Sequence, residues 1–249
     1  MIYDAPIYDL DELARYNLHT HTTFSACARP EMTLKNIVAA AEAAGLEMIA
    51  LTDHYNHRNF DAKYLRQIAR LKNEFVATGS KLRVLFSSEL SCWGAGQFLE
   101  KQGTRDSLDY GLYTCNHYHL DFWEHPADTS PRGYAVHLLK CAEACIESGR
   151  AECIAHPLIG RFVRLYHDPT EITRAMEDGE LYGLCALAAK RGVALELNAG
   201  AVMGDPGLFT RLWKFGKEAG TTFHFGTDAH RLVEIDTRKY LPELKRILE

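Results

Sequence analysis

The stretch NLHTHTTFSACARPEMTLKNIVAAAEAAGLEMIALTDH, residues 17–54, packs a strand, a helix and a second strand into one unit. Thr33 is a fitting N-cap for an alanine-rich helical body, and Gly45 a fitting stop. MIALTDH then reads as a strand that ends on Asp53 and His54. The first strand ends in the same way, on His19 and His21. Side chains at i and i+2 of a strand leave the backbone on one face, so these two imidazoles point together. An isolated H-x-H also fits two satisfied core or surface histidines, and the rest of the chain has to decide.

Reading outward, the alternation continues. DAKYLRQIARLKNEFVATG is expected as a helix capped by Asp61 and ended at Gly79, and KLRVLFSSEL as a third strand. Residues 91–109 are polar and glycine-containing, which suggests a loop or hairpin insertion. The strand YGLYTCNHYH and the helix PRGYAVHLLKCAEACIESG follow. Next come the strand AECIAHP, a helix around ITRAMEDGELYGLCALAAKRG and the strand VALELNAG; the helix GLFTRLWKFGKEAG and the strand TTFHFGTDAH complete the series. Roughly seven β/α units, without a repeat or a Pro/Gly/Ser-rich linker, predict one α/β domain over residues 1–249.

Composition narrows the function classes. At 249 residues and 47% hydrophobic content, the chain can bury a site deeply. A formal charge of −5 and the lack of any basic run argue against nucleic acid as a partner. The acidic start MIYDAPIYDLDELARYN has neither a basic nor an apolar leader segment, and no apolar run reaches the roughly 20 residues of a membrane span, so a cytoplasmic protein is expected. Seven dispersed cysteines, odd in number, do not form a disulfide framework and suit a reducing compartment. Cys141 and Cys145 share a helical face and read as small core residues.

The residues able to hold a metal fall at the C-terminal ends of the expected strands: His19 and His21, Asp53 and His54, Glu89, His117 or His119, His156, and Asp228 with His230. In β/α barrels that rim is where groups from different strands converge. Imidazole nitrogen and carboxylate oxygen suit Zn, Mn or Fe, and a carboxylate can bridge two cations where a neutral imidazole cannot. Glu89 is the expected bridge. Two ions held about 3.5–4 Å apart favour hydrolysis, because they clamp both the attacking and the leaving oxygen.

The ordered set HTH, TDH, SSEL, NHYH, AHP and GTDAH resembles the PHP superfamily, named for polymerase and histidinol phosphatase domains. The segment from Phe24 to His54 is especially similar to that family's opening. The resemblance implies a distorted, TIM-like (β/α)7 barrel with two or three divalent cations. It implies one metal on His19, His21, Glu89 and Asp228, a second on Glu89, His117 and His156, and a third on His54 and His230. Asp53, Glu89 and Asp228 are the implied catalytic carboxylates, with Asp53 as a partner that orients an imidazole. Histidinol phosphatases commonly carry another histidine six residues after the H-x-H pair. Cys27 stands there, so Cys27 and His119 are further candidate ligands.

The resulting expectation is a hydrolase of small phosphate esters that uses a metal-bound hydroxide. Arg161 and Arg164, in AHPLIGRFVR, are expected to bind the phosphorylated substrate together with His57. A guanidinium fork matches phosphate oxygens, and the family places an arginine shortly after this histidine. AGAVMGDPG lacks the basic residue that histidinol phosphatases tend to carry there, which weakens that particular substrate. Hydrolysis of a metabolite amide or ester, and a non-catalytic metal-binding accessory domain, are the competing readings. Glu196 and Asn198, in LELN, are expected to fill a polar layer of the barrel.

Overall fold

Along β2 (Met48–His54) the side chains divide strictly by parity. Met48 and Ala50 join Leu18, Leu112, Cys153 and Ala194 in a compact inner core, whereas Ile49 and Leu51 belong to the larger apolar layer beneath the helices. A strand buried on both faces therefore carries two apolar sets, and here the inner set is the smaller one. That pattern belongs to a parallel sheet curled round its own core.

The computed structural model describes residues 2, 3 and 5–249. The remaining strands are β1 (Tyr16–Thr20), β3 (Arg83–Gly94), β4 (Gln97–Phe98), β5 (Leu112–Thr114), β6 (Cys153–Ile154), β7 (Ala194–Asn198) and β8 (Phe223–Gly226). The seven strands other than β4 run parallel in the order β1-β2-β3-β5-β6-β7-β8, and helices cover the outside. The chain is a single α/β domain with a nearly closed, TIM-like barrel of seven parallel strands. Between β8 and β1 the ladder shrinks to one bridge, Thr20 to Ala229. Asn17 seals the seam instead: its side chain donates to Thr227 Oγ1 at 2.7 Å and to the Ile235 carbonyl at 3.1 Å, and accepts the Thr227 N–H at 3.1 Å.

One irregularity decides what the first strand offers the site. Tyr16 and Asn17 pair with Met48 and Ile49, but Leu51 pairs with Thr20, so β1 carries one extra residue. Leu18 already faces the inner core. In an unbroken pleat, His19 and His21 would face outward. The bulge resets the parity and turns both imidazoles inward, as bulges beside active sites commonly do.

Most helix signals act as expected. Thr33 Oγ1 accepts the Asn36 N–H, and Gly45 and Gly79 end their helices in the left-handed conformation. Ile37 of the first long helix (Leu34–Ala43) is fully buried, and truncating it to Ala would cost about 2–5 kcal/mol. Asp61 does not cap its helix (Asp61–Thr78). Its carboxylate instead accepts Lys101 N–H and the Thr104 hydroxyl, tethering the short helix Gln102–Asp106. Residues 91–109 contain that helix and a hairpin in which Cys92 pairs with Phe98.

The expected strand over residues 110–119 stops at Thr114, leaving His117 and His119 on a turn rather than on one strand face. The expected helix over residues 172–192 is two, Thr170–Arg174 and Asp178–Arg191. Glu180 in the second accepts the Glu177 N–H and is gripped by Arg132, which fixes the break. Among the described residues, no helix is long and apolar enough to cross a membrane.

Candidate metal centre

The strand-end residues converge on Glu89, near the C-terminal half of β3 and paired in register with His54 of β2. Ring nitrogens of His19 and His21 lie 3.8 and 3.9 Å from Glu89 Oε2, and His54 Nδ1 lies 2.5 Å from it. On the other oxygen, Oε1, His156 Nε2 is at 3.0 Å and His117 Nε2 at 3.4 Å. Asp228 Oδ1 faces His21 Nε2 at 2.9 Å and His19 Nε2 at 3.4 Å. The set is buried apart from its outer edge, where the side chains of His54 and His230 are 22% and 24% exposed.

Several of these side chains are aimed by partners behind them. His19 Nδ1 donates to Glu196 Oε1 at 2.9 Å, which frees Nε2 towards the centre. Glu196 Oε2 also accepts the backbone N–H of His156. Glu196 thus holds two candidate ligands at once, His19 and His156, rather than only filling a polar layer. Asn198 turns back to donate to Glu196 Oε1 and accepts the Ala201 N–H. His21 Nδ1 meets Ser25 Oγ at 3.1 Å, and Ser25 donates to Asp53 Oδ1 at 2.7 Å.

Asp53 itself lies on the outer side of β2, where it also accepts Thr22 N–H and the Thr22 hydroxyl. It touches none of the converging ring nitrogens directly, so its place is that of a positioning residue for His21, acting through Ser25. His230 Nδ1 donates to the Asp228 carbonyl at 2.7 Å, leaving Nε2 to face Cys27 Sγ at 3.1 Å.

Backbone strain collects at the same rim. Two of the converging residues, His156 and Asp228, hold φ values of 28° and 52°, in the left-handed region that non-glycine residues avoid. Gly226 is required by close approach: a Cβ there would sit 2.1 Å from Glu196 Oε1 and 2.7 Å from His19 Cβ. Phe162 covers the cluster on one side, its ring 4.8 Å from that of His117 and 5.9 Å from that of His156.

The electrostatics fit a cation site. Burial alone would raise the Glu89 carboxyl, but His117 and His54 hold it well below the usual carboxylate range. Asp228 is likewise lowered against burial, by His19 and His21. Burial, reinforced by His54, pushes His21 down to about 3, and burial holds His117 well below the ordinary imidazole range. Against burial, Glu196 and Asp228 hold His19 well above the ordinary imidazole range, and Glu89 raises His54 to about 10. Anionic carboxylates thus stand among neutral and protonated imidazoles, and a bound cation would take the place of those protons. Glu89 Oε2 and His54 Nδ1, though 2.5 Å apart, are not aligned as a hydrogen bond, and both are buried without a partner. Orphaned atoms of this kind, crowded round one space, fit a cation that would use both. His19, Glu89 and His156 form one group of donors within 4.8 Å of one another; His19, His21 and Asp228 form a second, and His21, His54 and His230 a third.

Around this centre lie three depressions. Arg161 lines the first together with Asp228, His230 and Tyr240; its guanidinium is 3.8 Å from Asp228 Oδ2 and stacks on Phe162. Arg164 and His119 line the second. His119 lies behind His117, at the Phe162 ring, and between the two candidates it is His117 that meets Glu89. The third, of about 310 Å³, holds His57, Lys63, Cys27 and His54. A larger surface groove of about 690 Å³ runs between helices past Lys35, Glu42 and Glu74, but no set of converging donors lines it.

Ser25, Glu196, Gly226 and Phe162 are the working residues that the sequence did not single out for these roles. Only the serine, within FSACA, offered a local sign.

No curated protein matches the chain in sequence. Among solved structures, it is similar to the histidinol phosphate phosphatase of Lactococcus lactis, determined with zinc, L-histidinol and phosphate; the identity is 17%, the TM-score 0.59, and 93% of each chain is covered. It is also similar to the putative histidinol phosphatase of Listeria monocytogenes at 14% identity and a TM-score of 0.63, over 88% of this chain and 97% of that one. These likenesses concern the fold. The family model that describes the PHP domain matches residues 17–199, a span that runs from the barrel-closing asparagine through the orienting Glu196, and the chain accordingly belongs to the PHP domain family.

Proposed function

We propose that this chain is a metal-dependent phosphoesterase acting on small phosphate monoesters. The observation that carries the reading is the position of Glu89, one buried carboxylate with ring nitrogens of five histidines within 3.9 Å of its two oxygens. His19, His21, Glu89 and Asp228 would hold one cation; Glu89, His117 and His156 a second; His54 and His230 a third. Bound Zn, Mn or Fe would supply Lewis acidity and an activated water.

The chain's own residues do the rest. Arg161 sits beside Asp228 with its side chain half exposed, suited to grip non-bridging phosphate oxygens in a bidentate fashion. Arg164 and His57 border the neighbouring depressions and would contact the remainder of the ester. Phe162 keeps water from the His117 and His156 side. Behind β7 the short helix Ala199–Gly204 brings no basic side chain to this rim. That favours a phosphate monoester other than histidinol phosphate.

Elemental analysis of protein purified without chelator should find at least two transition-metal equivalents per chain. The same protein should hydrolyse phosphate esters in preference to amides and neutral esters. Arg161→Ala should keep its metal and weaken turnover of a phosphate ester by about 2 kcal/mol, while sparing a neutral ester. Less than one metal equivalent even after reconstitution, or an equal effect on both esters, would overturn the reading.

A further inference from the structure

We infer that Cys27 is a metal ligand, which makes the outer cation site a sulfur-containing one that prefers zinc or cobalt to manganese. The inference rests on the metallohydrolase reading and concerns only the His54 and His230 edge of the centre.

The position of the thiol is fixed from both sides. Two residues before it, Ser25 is tied to His21 and Asp53; two residues after it, the Arg29 N–H bonds the His230 carbonyl at 2.9 Å. The loop is therefore anchored at each end to residues of the centre itself, and Cys27 is held between them. Its Sγ lies 3.1 Å from His230 Nε2. That nitrogen is the free one, because Nδ1 is committed to the Asp228 carbonyl. A nitrogen and a sulfur bound to one tetrahedral zinc would stand about 3.5 Å apart, given bond lengths of roughly 2.0 and 2.3 Å. The observed pair is within half an ångström of that spacing.

His21, His54 and His230 present ligand atoms within 4.8 Å of one another beside it, and His54 Nδ1 has no hydrogen-bond partner. Of the seven cysteines Cys27 is the exposed one; the six others are buried. A thiol serving only as a small apolar filler would be among those six. Thiolate is a good ligand for zinc and cobalt and a poor one for manganese, so the residue that stands here sets which ion the outer site accepts.

Cobalt reports the bond directly, since thiolate ligation adds a charge-transfer band in the near ultraviolet. The expected result for protein reconstituted with cobalt alone is that band, together with at least two bound equivalents. In Cys27→Ser the band should vanish and outer-site zinc affinity should fall by at least about tenfold, while the inner equivalents remain. Cys27→His should restore the outer equivalent without the band, and should narrow the preference for zinc over manganese.

Two or more cobalt equivalents with no band would overturn the inference and leave the metallohydrolase reading standing. A band that survives Cys27→Ser would overturn it too, and would place the sulfur among the buried cysteines. Failure of the protein to bind cobalt at all would remove both readings.

Discussion

Side chains of metal-binding types gather at similar spacing in two places among the described residues, the strand ends and a set of buried thiols. Cys92, Cys115 and Cys145 bring three sulfur atoms within 4.8 Å, as His19, Glu89 and His156 bring their nitrogens and oxygen. Spacing alone does not distinguish them. The thiols lie in the apolar layer between sheet and helix, and the neighbouring hydrogen-bond acceptors are backbone carbonyls, those of Gly94 and Cys141 near the Cys92 sulfur. Burial holds the Cys145 thiol well above the ordinary range, so it stays protonated. The strand-end group has anionic carboxylates, imidazoles aimed by Glu196 and Ser25, and an edge open to solvent. A metal centre needs those orienting partners and an entry path as well as donors.

The sharpest way to break the comparison is to neutralise the carboxylate that the thiol group lacks. Glu89→Gln keeps the shape and removes the charge. Loss of metal and of at least about 100-fold in activity is expected, read by elemental analysis and steady-state kinetics. Full metal content with unchanged turnover would show that the charge of Glu89 is dispensable and that the imidazoles and Asp228 suffice.

A smaller effect should follow from disturbing an orienting partner rather than a ligand. In Gly226→Ala the new methyl would meet the Glu196 carboxylate and His19 Cβ, and Glu196 would have to leave its place. Metal affinity should fall about 10- to 100-fold, the usual cost of a lost outer partner, with about 1–3 kcal/mol of stability lost to overpacking. Isothermal titration and thermal unfolding separate the two. A drop in stability with metal affinity unchanged would mean that Glu196 does not position the ligands.

The contrast between these residues also explains what the sequence disclosed. His19, His54, Glu89 and His156 were legible because each ends an apolar run, and a barrel brings strand ends together. Gly226 and Glu196 were not, since their roles depend on how closely β7, β8 and β1 approach across the barrel. The bulge in β1 left no mark either: H-x-H reads as one face of a strand with or without the extra residue that turns that face inward. His117 and His119 are ambiguous in the sequence because the parity of a strand does not hold in a segment that is a turn. Asp61 looked like a cap, yet its carboxylate serves a helix 40 residues away.

The thiol group gives the mildest test. Cys145 is fully buried on the helix Pro131–Glu147, and its neighbours Cys92 and Cys115 are buried with it. As a small apolar filler it contributes packing and little else. Cys145→Ala removes one sulfur atom from a close-packed layer, comparable with deleting a methylene or slightly more. The expected cost is about 1 kcal/mol of stability, measured by denaturant unfolding, with metal equivalents unchanged and activity within about twofold. A loss of one bound metal per chain would be the informative failure. It would mean that three buried thiols hold an ion without carboxylates, orienting partners or an open edge, and the distinction drawn between the two groups would have to be given up.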